Sequence, residues 1–243
     1  MKRNALLILL ILQVHMLSAC RFKNHQDSGS VVHEVRNVDH FKGISASSGV
    51  DVYISQGSTE HVEVVSSQKS IKDIHTEVVD GVLKIYYQHK EGFHWFSAHI
   101  NRTMKVYVTA RELQTIKASS GSDVYGQTRI TGTTMDLNAS SGANLHLDLN
   151  STNLSCDVSS GSDASLRGVA LNFNGTASSG ADIKALDLVT DSSTLNASSG
   201  SDIKVTVNKV LKATASSGGD ITYKGNPASV TKDKSSGGDV QQK

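Results

Sequence analysis

The sequence predicts an all-β chain: a parallel β-helix (β-solenoid) with coils of about 19 residues, preceded by a less regular β-rich part. The first observation behind this is a repeat. Ser-Ser-Gly occurs eight times, with glycines at Gly49, Gly121, Gly142, Gly161, Gly180, Gly200, Gly218 and Gly237, and Asp follows two residues later in every copy except that of Asn144. From Gly121 onward the steps are 21, 19, 19, 20, 18 and 19 residues. A fixed period near 20 residues marks a solenoid, whose coils bury their apolar side only by stacking on their neighbours.

The second observation is an alternation on both sides of each glycine. Three residues before it stand Ala118, Ala139, Val158, Ala177, Ala197 and Ala215, and five before stand Ile116, Leu137, Cys156, Gly175, Leu195 and Ala213. Three after it stand Val124, Leu145, Ala164, Ile183, Ile203, Ile221 and Val240. Polar residues fill the positions between. Period-two alternation flanking a turn means one strand entering and one leaving each corner. The third observation is composition: with five Phe and one Trp, the core must be built from small aliphatic side chains.

The turn chemistry supports the corners. Glycine adopts φ > 0 without steric cost, and Asp two residues on can accept hydrogen bonds from turn N–H groups. A unit of 19 residues is too short for a βαβ crossover, which takes roughly 30. Coils rising ~4.8 Å each would place equivalent residues directly above one another. In the last copy, Lys232 and Lys234 occupy two columns that are otherwise apolar, which suits a terminal coil whose open edge must discourage further stacking.

Residues 31–112 read as β-rich but less regular, ahead of the repeats in 113–243. Val31 to Val38 and Val50 to Ile54 alternate, His61 to Val65 follows, and Ile74–Val79 and Val82–Tyr87 flank the hairpin signal Asp80-Gly81. Met104 to Val108 leads into the regular array, and His89 to Asn101 reads as a surface loop.

The N-terminus reads as a targeting signal. Lys2 and Arg3 precede the apolar run Ala5 to Leu12, which is too short to span a bilayer. Leu17-Ser18-Ala19-Cys20 has the form of a bacterial lipobox, so residues 1–19 are expected to be removed, Cys20 lipidated, and 20–30 to act as a flexible tether. Removal of 1–19 takes away two basic residues and moves the formal charge from +1 to −1 over the remaining 224 residues. No basic, aromatic-rich patch remains to suggest nucleic acid. Cys156 is then alone, which leaves no disulfide framework within the chain, and its inward column marks it as a small buried hydrophobe.

Phe41-Lys42-Gly43-Ile44, Ser48-Gly49-Val50-Asp51-Val52, Gln56-Gly57, Val79-Asp80-Gly81-Val82-Leu83-Lys84-Ile85 and the closing Ile221-Thr222-Tyr223-Lys224-Gly225-Asn226-Pro227 together resemble one family. It is the GIN domain family, named for adhesin head domains and found in secreted lipoproteins of Bacteroidetes-type bacteria. The resemblance covers roughly residues 35–240 and implies a right-handed β-helix in two continuous parts. It implies an envelope protein held by its lipid, on the outer membrane of a Gram-negative cell. It brings no catalytic residues and no cofactor. Asn144 and the His-rich segment 89–99 depart from the pattern.

Two groups of residues are candidates for chemistry. The first is the Asp column, Asp123, Asp163, Asp182, Asp202, Asp220 and Asp239, with Asn144 in register. Stacked carboxylates ~5 Å apart repel by roughly 1 kcal/mol in water. Turn N–H groups, outward splay or bridging cations could relieve this, and corner capping is the expected role, with a cation or ligand ladder as the alternative. The second is His89, His94, Trp95, Phe96 and His99, a candidate contact loop, since exposed aromatics are enriched at interfaces. Carboxylates at this spacing could also suit a retaining glycosidase. But a catalytic site is a local exception, and these acids recur in nearly every coil. The expected function is therefore a non-enzymatic, lipid-anchored adhesin or extracytoplasmic structural module that meets a surface glycan or protein. A carbohydrate- or cation-binding module is the rival, and a polysaccharide enzyme ranks third.

Overall fold

Each Ser-Ser-Gly corner is a two-residue turn with both central residues left-handed. At the Gly121 corner Ser120 has φ 53° and Gly121 has φ 72°, and the same pair of signs recurs at all eight corners. These are type I′ turns, closed where the Ser122 N–H donates to the Ser119 carbonyl at 3.2 Å. A serine in this region is strained, and such strain persists only where the surroundings over-determine it. Here they do. The glycine N–H of each corner donates to the carbonyl of the left-handed serine in the next coil, from Gly49 to Ser120 (3.0 Å) through Gly218 to Ser236 (3.2 Å). The hydrogen-bond ladder thus runs unbroken round the bend.

The computed structural model describes residues 30–88 and 103–243. Seventeen strands are found there: β1 Val31–Val35, β2 Gly43–Ala46, β3 Asp51–Gln56, β4 His61–Ser67, β5 Ile74–Val79, β6 Val82–Tyr87, β7 Met104–Ala110, β8 Thr115–Ser119, β9 Asp123–Gly126, β10 Ile130–Ser140, β11 Asn144–Val158, β12 Asp163–Ala177, β13 Asp182–Ser198, β14 Asp202–Ser216, β15 Asp220–Lys224, β16 Ser229–Lys234 and β17 Asp239–Gln242. From β8 onward all pairings between coils are parallel, with Ile116 on Leu137, Leu137 on Cys156, and Asp163 on Asp182 on Asp202. The register shifts only at bulges after Ser165 in the β12–β13 pair and after Ala185 and Thr190 in the β13–β14 pair. This is the β-solenoid expected from the repeat.

The apolar columns face inward as the alternation requires. Ala139, Ala177, Ala215, Val124, Leu145, Ile183, Ile203 and Ile221 are fully buried, as is Cys156. Burial pushes the Cys156 thiol far up, so it stays protonated and inert. Each long strand runs almost a full coil. A second bend is made without a motif, by two successive outward residues such as Leu171 and Asn172 in β12.

The first repeat copy is joined to the others in space, though not in sequence. β2 and β3, which flank Gly49, pair with β8 and β9 on one side and with β6 and β7 on the other. The 72-residue gap between Gly49 and Gly121 is thus a chain excursion that builds the outermost coil. In that coil β6 and β7 take the entering and leaving positions. β5 and β6 form the expected hairpin, Val79 against Val82, with Asp80 at φ 53° and Gly81 at φ 74°. β4 lies antiparallel on β7, and β1 antiparallel on β4, closing that end with non-coil strands.

Candidate functional site: an outward ladder of carboxylates and rings

Leaving each corner, the first outward residue is the Asp of the repeat and the second lies two residues on. Because coils stack in register, each position becomes a column. The acidic column runs Asp51, Asp123, Asn144, Asp163, Asp182, Asp202, Asp220 and Asp239, so the six predicted Asp residues and Asn144 are brought together.

Asp239 accepts a backbone hydrogen bond from Val240, but corner capping is not left to the carboxylates alone. Inside the corner that work falls to buried serines at the position between Gly and Asp. The Ser122 hydroxyl accepts from the Val50 N–H at 3.1 Å and the Ser162 hydroxyl from the Ala143 N–H at 3.2 Å. The Asp side chains point the other way and are met from outside. Asp123 accepts from the Asn144 amide at 2.8 Å and the Tyr125 hydroxyl at 3.2 Å. Lys184 lies 2.5 Å from Asp163 and 3.7 Å from Asp182, and Lys234 lies 2.7 Å from Asp239. The bond to Asp163 raises the Lys184 pKa, and Lys234 holds the Asp239 carboxyl below its usual range. Asp51 has the opposite fate: burial first, then the nearby Asp123, raise its pKa against the pull of Lys105. Among the described residues no three His, Cys, Asp or Glu side chains converge as a metal site.

The second column carries a feature that the repeat motif does not announce. Tyr107, Tyr53, Tyr125 and His146 stack one on another, with ring centroids 5.0, 5.2 and 5.1 Å apart and interplanar angles of 19°, 19° and 5°. Partial burial, with the Asp123 charge beside it, pushes the Tyr125 hydroxyl up to about 12. Beyond His146 the column continues as Ser165, Lys184 and Lys204. The ring ladder therefore ends at a short side chain. A cavity of about 350 Å³ opens there, lined among others by His146, Ser165, Asp148, Arg167, Lys184 and Asp187. Asp148 is gripped by Arg129 at 2.7 Å and Arg167 at 3.3 Å, and the Arg129 bond holds its carboxyl below the usual range. Period-two spacing could have exposed the ring column, but only once residues 51–56 and 104–110 are known to stack on the repeats.

The lipidation candidate Cys20 and the contact-loop residues His89, His94, Trp95, Phe96 and His99 lie outside the described residues.

A family model described as "Putative auto-transporter adhesin, head GIN domain" matches residues 40–227, which takes in every strand from β2 to β15. The chain belongs to the GIN-domain family. Several solved structures share the fold of this chain. A crystal structure titled a putative adhesin from Bacteroides fragilis NCTC 9343 superposes with a TM-score of 0.80 at 19% identity, over 90% of this chain and 99% of that one. A second putative adhesin, from Parabacteroides distasonis ATCC 8503, gives a TM-score of 0.70 at 22% identity, over 90% and 99%. A protein from the same organism titled a putative lipid binding protein gives 0.70 at 18% identity, over 89% and 98%. No curated protein sequence matches this GIN-domain chain significantly. The identities are low enough that the likeness speaks for the fold, and the site must be argued from its own residues.

Proposed function

We propose that this GIN-domain protein is a non-enzymatic adhesin-like head, held on the bacterial outer membrane through a lipid on Cys20. The observation that carries the reading is family membership over residues 40–227, in a family described by adhesin heads. The envelope assignment is supported by the Leu17-Ser18-Ala19-Cys20 tetrad behind a short apolar run. Three acyl chains on that cysteine would anchor firmly, because each buried CH₂ adds about 0.8 kcal/mol. A contact role also fits the surface. Its outward columns repeat the same groups from coil to coil, which favours an extended contact over a single reacting centre.

Two measurements test this. Metabolic labelling with a fatty-acid analogue is expected to mark the wild type and not Cys20→Ser, and equal labelling of both would remove the anchor. Cells carrying the protein are expected to attach to glycan- or matrix-coated surfaces better than a deletion strain. Equal attachment would remove the adhesin reading.

A further inference from the structure

The ring ladder stops one rung short of a cation, and the missing rung is a slot. His146 presents one face to Tyr125, 5.1 Å away and nearly parallel at 5°. Its other face looks toward the rung of Ser165, whose side chain is too short to cover it. The next residue in the column is Lys184, held toward Asp163 and Asp182. Two strand spacings, about 9.6 Å, separate the His146 and Lys184 rungs. A flat ring inserted at the level of Ser165 would sit one rung from His146, as Tyr125 does on its far side.

We propose that this slot binds one uncharged pyranose residue of a surface glycan, stacked on the open face of His146. The proposal rests on the adhesin-like reading and gives it a contact point. A pyranose has an apolar face of C–H groups that meets the electron-rich face of an aromatic ring, and an edge dense in hydroxyls. The slot supplies both counterparts. The ring face forms one wall, and Asp148, Arg167, Lys184 and Asp187 line the cavity with acceptors and donors. A polar rim beside one ring face, in a cavity of about 350 Å³, has the size of a small-ligand site. The charges decide the ligand class. Three cations, Arg129, Arg167 and Lys184, meet three carboxylates, Asp148, Asp163 and Asp187, with Arg129 and Arg167 paired to Asp148 and Lys184 to Asp163. No net positive charge is left over for a phosphate or a sugar acid. The side chains of Arg167 and Lys184 are 68% and 47% exposed, so a glycan can approach from solvent.

Saturation-transfer NMR on the purified full chain, in a detergent without a sugar headgroup, tests the slot. The probes are the methyl glycosides of glucose, galactose, mannose and N-acetylglucosamine, with methyl glucuronide as the charged comparison. At least one neutral glycoside is expected to receive saturation in the wild type. Ser165→Tyr, which fills the vacant rung, is expected to cut that signal at least fivefold while Lys204→Ala leaves it. His146→Ser, which removes the wall without adding bulk, is expected to do the same and serves where the tyrosine variant melts early. Absence of transfer to all four neutral probes overturns the proposal. So does an undiminished signal in a folded Ser165→Tyr or His146→Ser chain, or a stronger signal from the glucuronide. Attachment assays on the same variants keep the two readings apart. Wild-type cells that attach although the protein takes up no neutral sugar refute the slot alone. Sugar binding without any attachment refutes the adhesin reading alone.

Discussion

The side-chain amide of Asn144 donates to the carboxylate of Asp123 across 2.8 Å, so the uncharged rung of the acidic column is the one that ties its neighbour down. On its other side Asp123 faces Asp51, whose carboxyl pKa is raised by burial and by Asp123. One rung relieves like-charge repulsion and the adjacent one suffers it.

Substitutions at these two rungs should therefore act in opposite directions. Asn144→Asp removes the donor and sets a third carboxylate between Asp123 and Asp163, at roughly 1 kcal/mol per neighbour in a water-like medium. Thermal unfolding at pH 7 is expected to fall by about 2–4 °C for each kcal/mol lost in a chain of this size. Asp51→Asn is expected to raise the melting temperature at pH 7. The folded pKa of Asp51 lies above its unfolded value, so its ionisation opposes folding fully above the folded pKa. That opposition fades as pH falls through the folded pKa and is absent below the unfolded one. The advantage of Asp51→Asn should shrink along the same course. A melting profile in which the advantage grows toward acid would contradict the assignment.

How much of this was legible in the sequence follows from which interactions are local. The corner needs Gly at φ > 0, and the strands need alternation, so the coils and the inward set from Ile116 to Val240 could be read from spacing alone. The acidic column was legible for the same reason. What its carboxylates do was not, because Lys184 and Asp163 are 21 residues apart and meet only through stacking. The corner serines Ser122 and Ser162 were hidden by looking like ordinary turn residues. The aromatic ladder was hidden by the 72-residue excursion, which places Tyr53 beside Tyr125.

Neighbouring glycines at one corner are expected to fail for different reasons. A Cβ on Gly218 would meet open space, and its only obstacle is the backbone, at φ +71°. Gly218→Ala should then cost the left-handed penalty of roughly 1–2 kcal/mol. A Cβ on Gly219 would stand 2.6 Å from the Ala197 carbonyl and 2.7 Å from the Ser198 nitrogen, both main-chain atoms of the previous coil. The coils would have to part, so Gly219→Ala is expected to cost more, on the order of 3 kcal/mol or above. Denaturant melts that rank the two variants the other way would refute this account of the corner.

Ala197 and Asn196 test the inward assignment within one strand. Ala197 is 1% exposed in the middle of the stack, and Asn196 points outward. A carboxylate at Ala197 has no partner and no water, so Ala197→Asp is expected to cost several kcal/mol, about 5 °C or more. Asn196→Asp should stay within about 0.5 kcal/mol of the wild type. Similar melting temperatures for the pair would mean that the alanine column is not core.

The last coil tests how the solenoid avoids growing. Lys232 and Lys234 stack on Ala213 and Ala215, in columns that are apolar in the preceding coils. The Lys232 ammonium lies 4.9 Å from the centre of the Tyr223 ring and 3.4 Å from the Val240 carbonyl, while Lys234 is paired with Asp239. Their stems thus lie over the end of the core and keep the charge at its rim. An open coil end without such charges is a template for strand addition. Lys232→Leu combined with Lys234→Val would leave β16 as an apolar free edge. Light scattering after size exclusion is expected to show a mass that rises with concentration in this variant. Lys209→Leu, on the flank of the stack beside Asp191, should keep the wild-type mass at every concentration. A folded double variant with the wild-type mass at high concentration would show that the lysines do not guard the end.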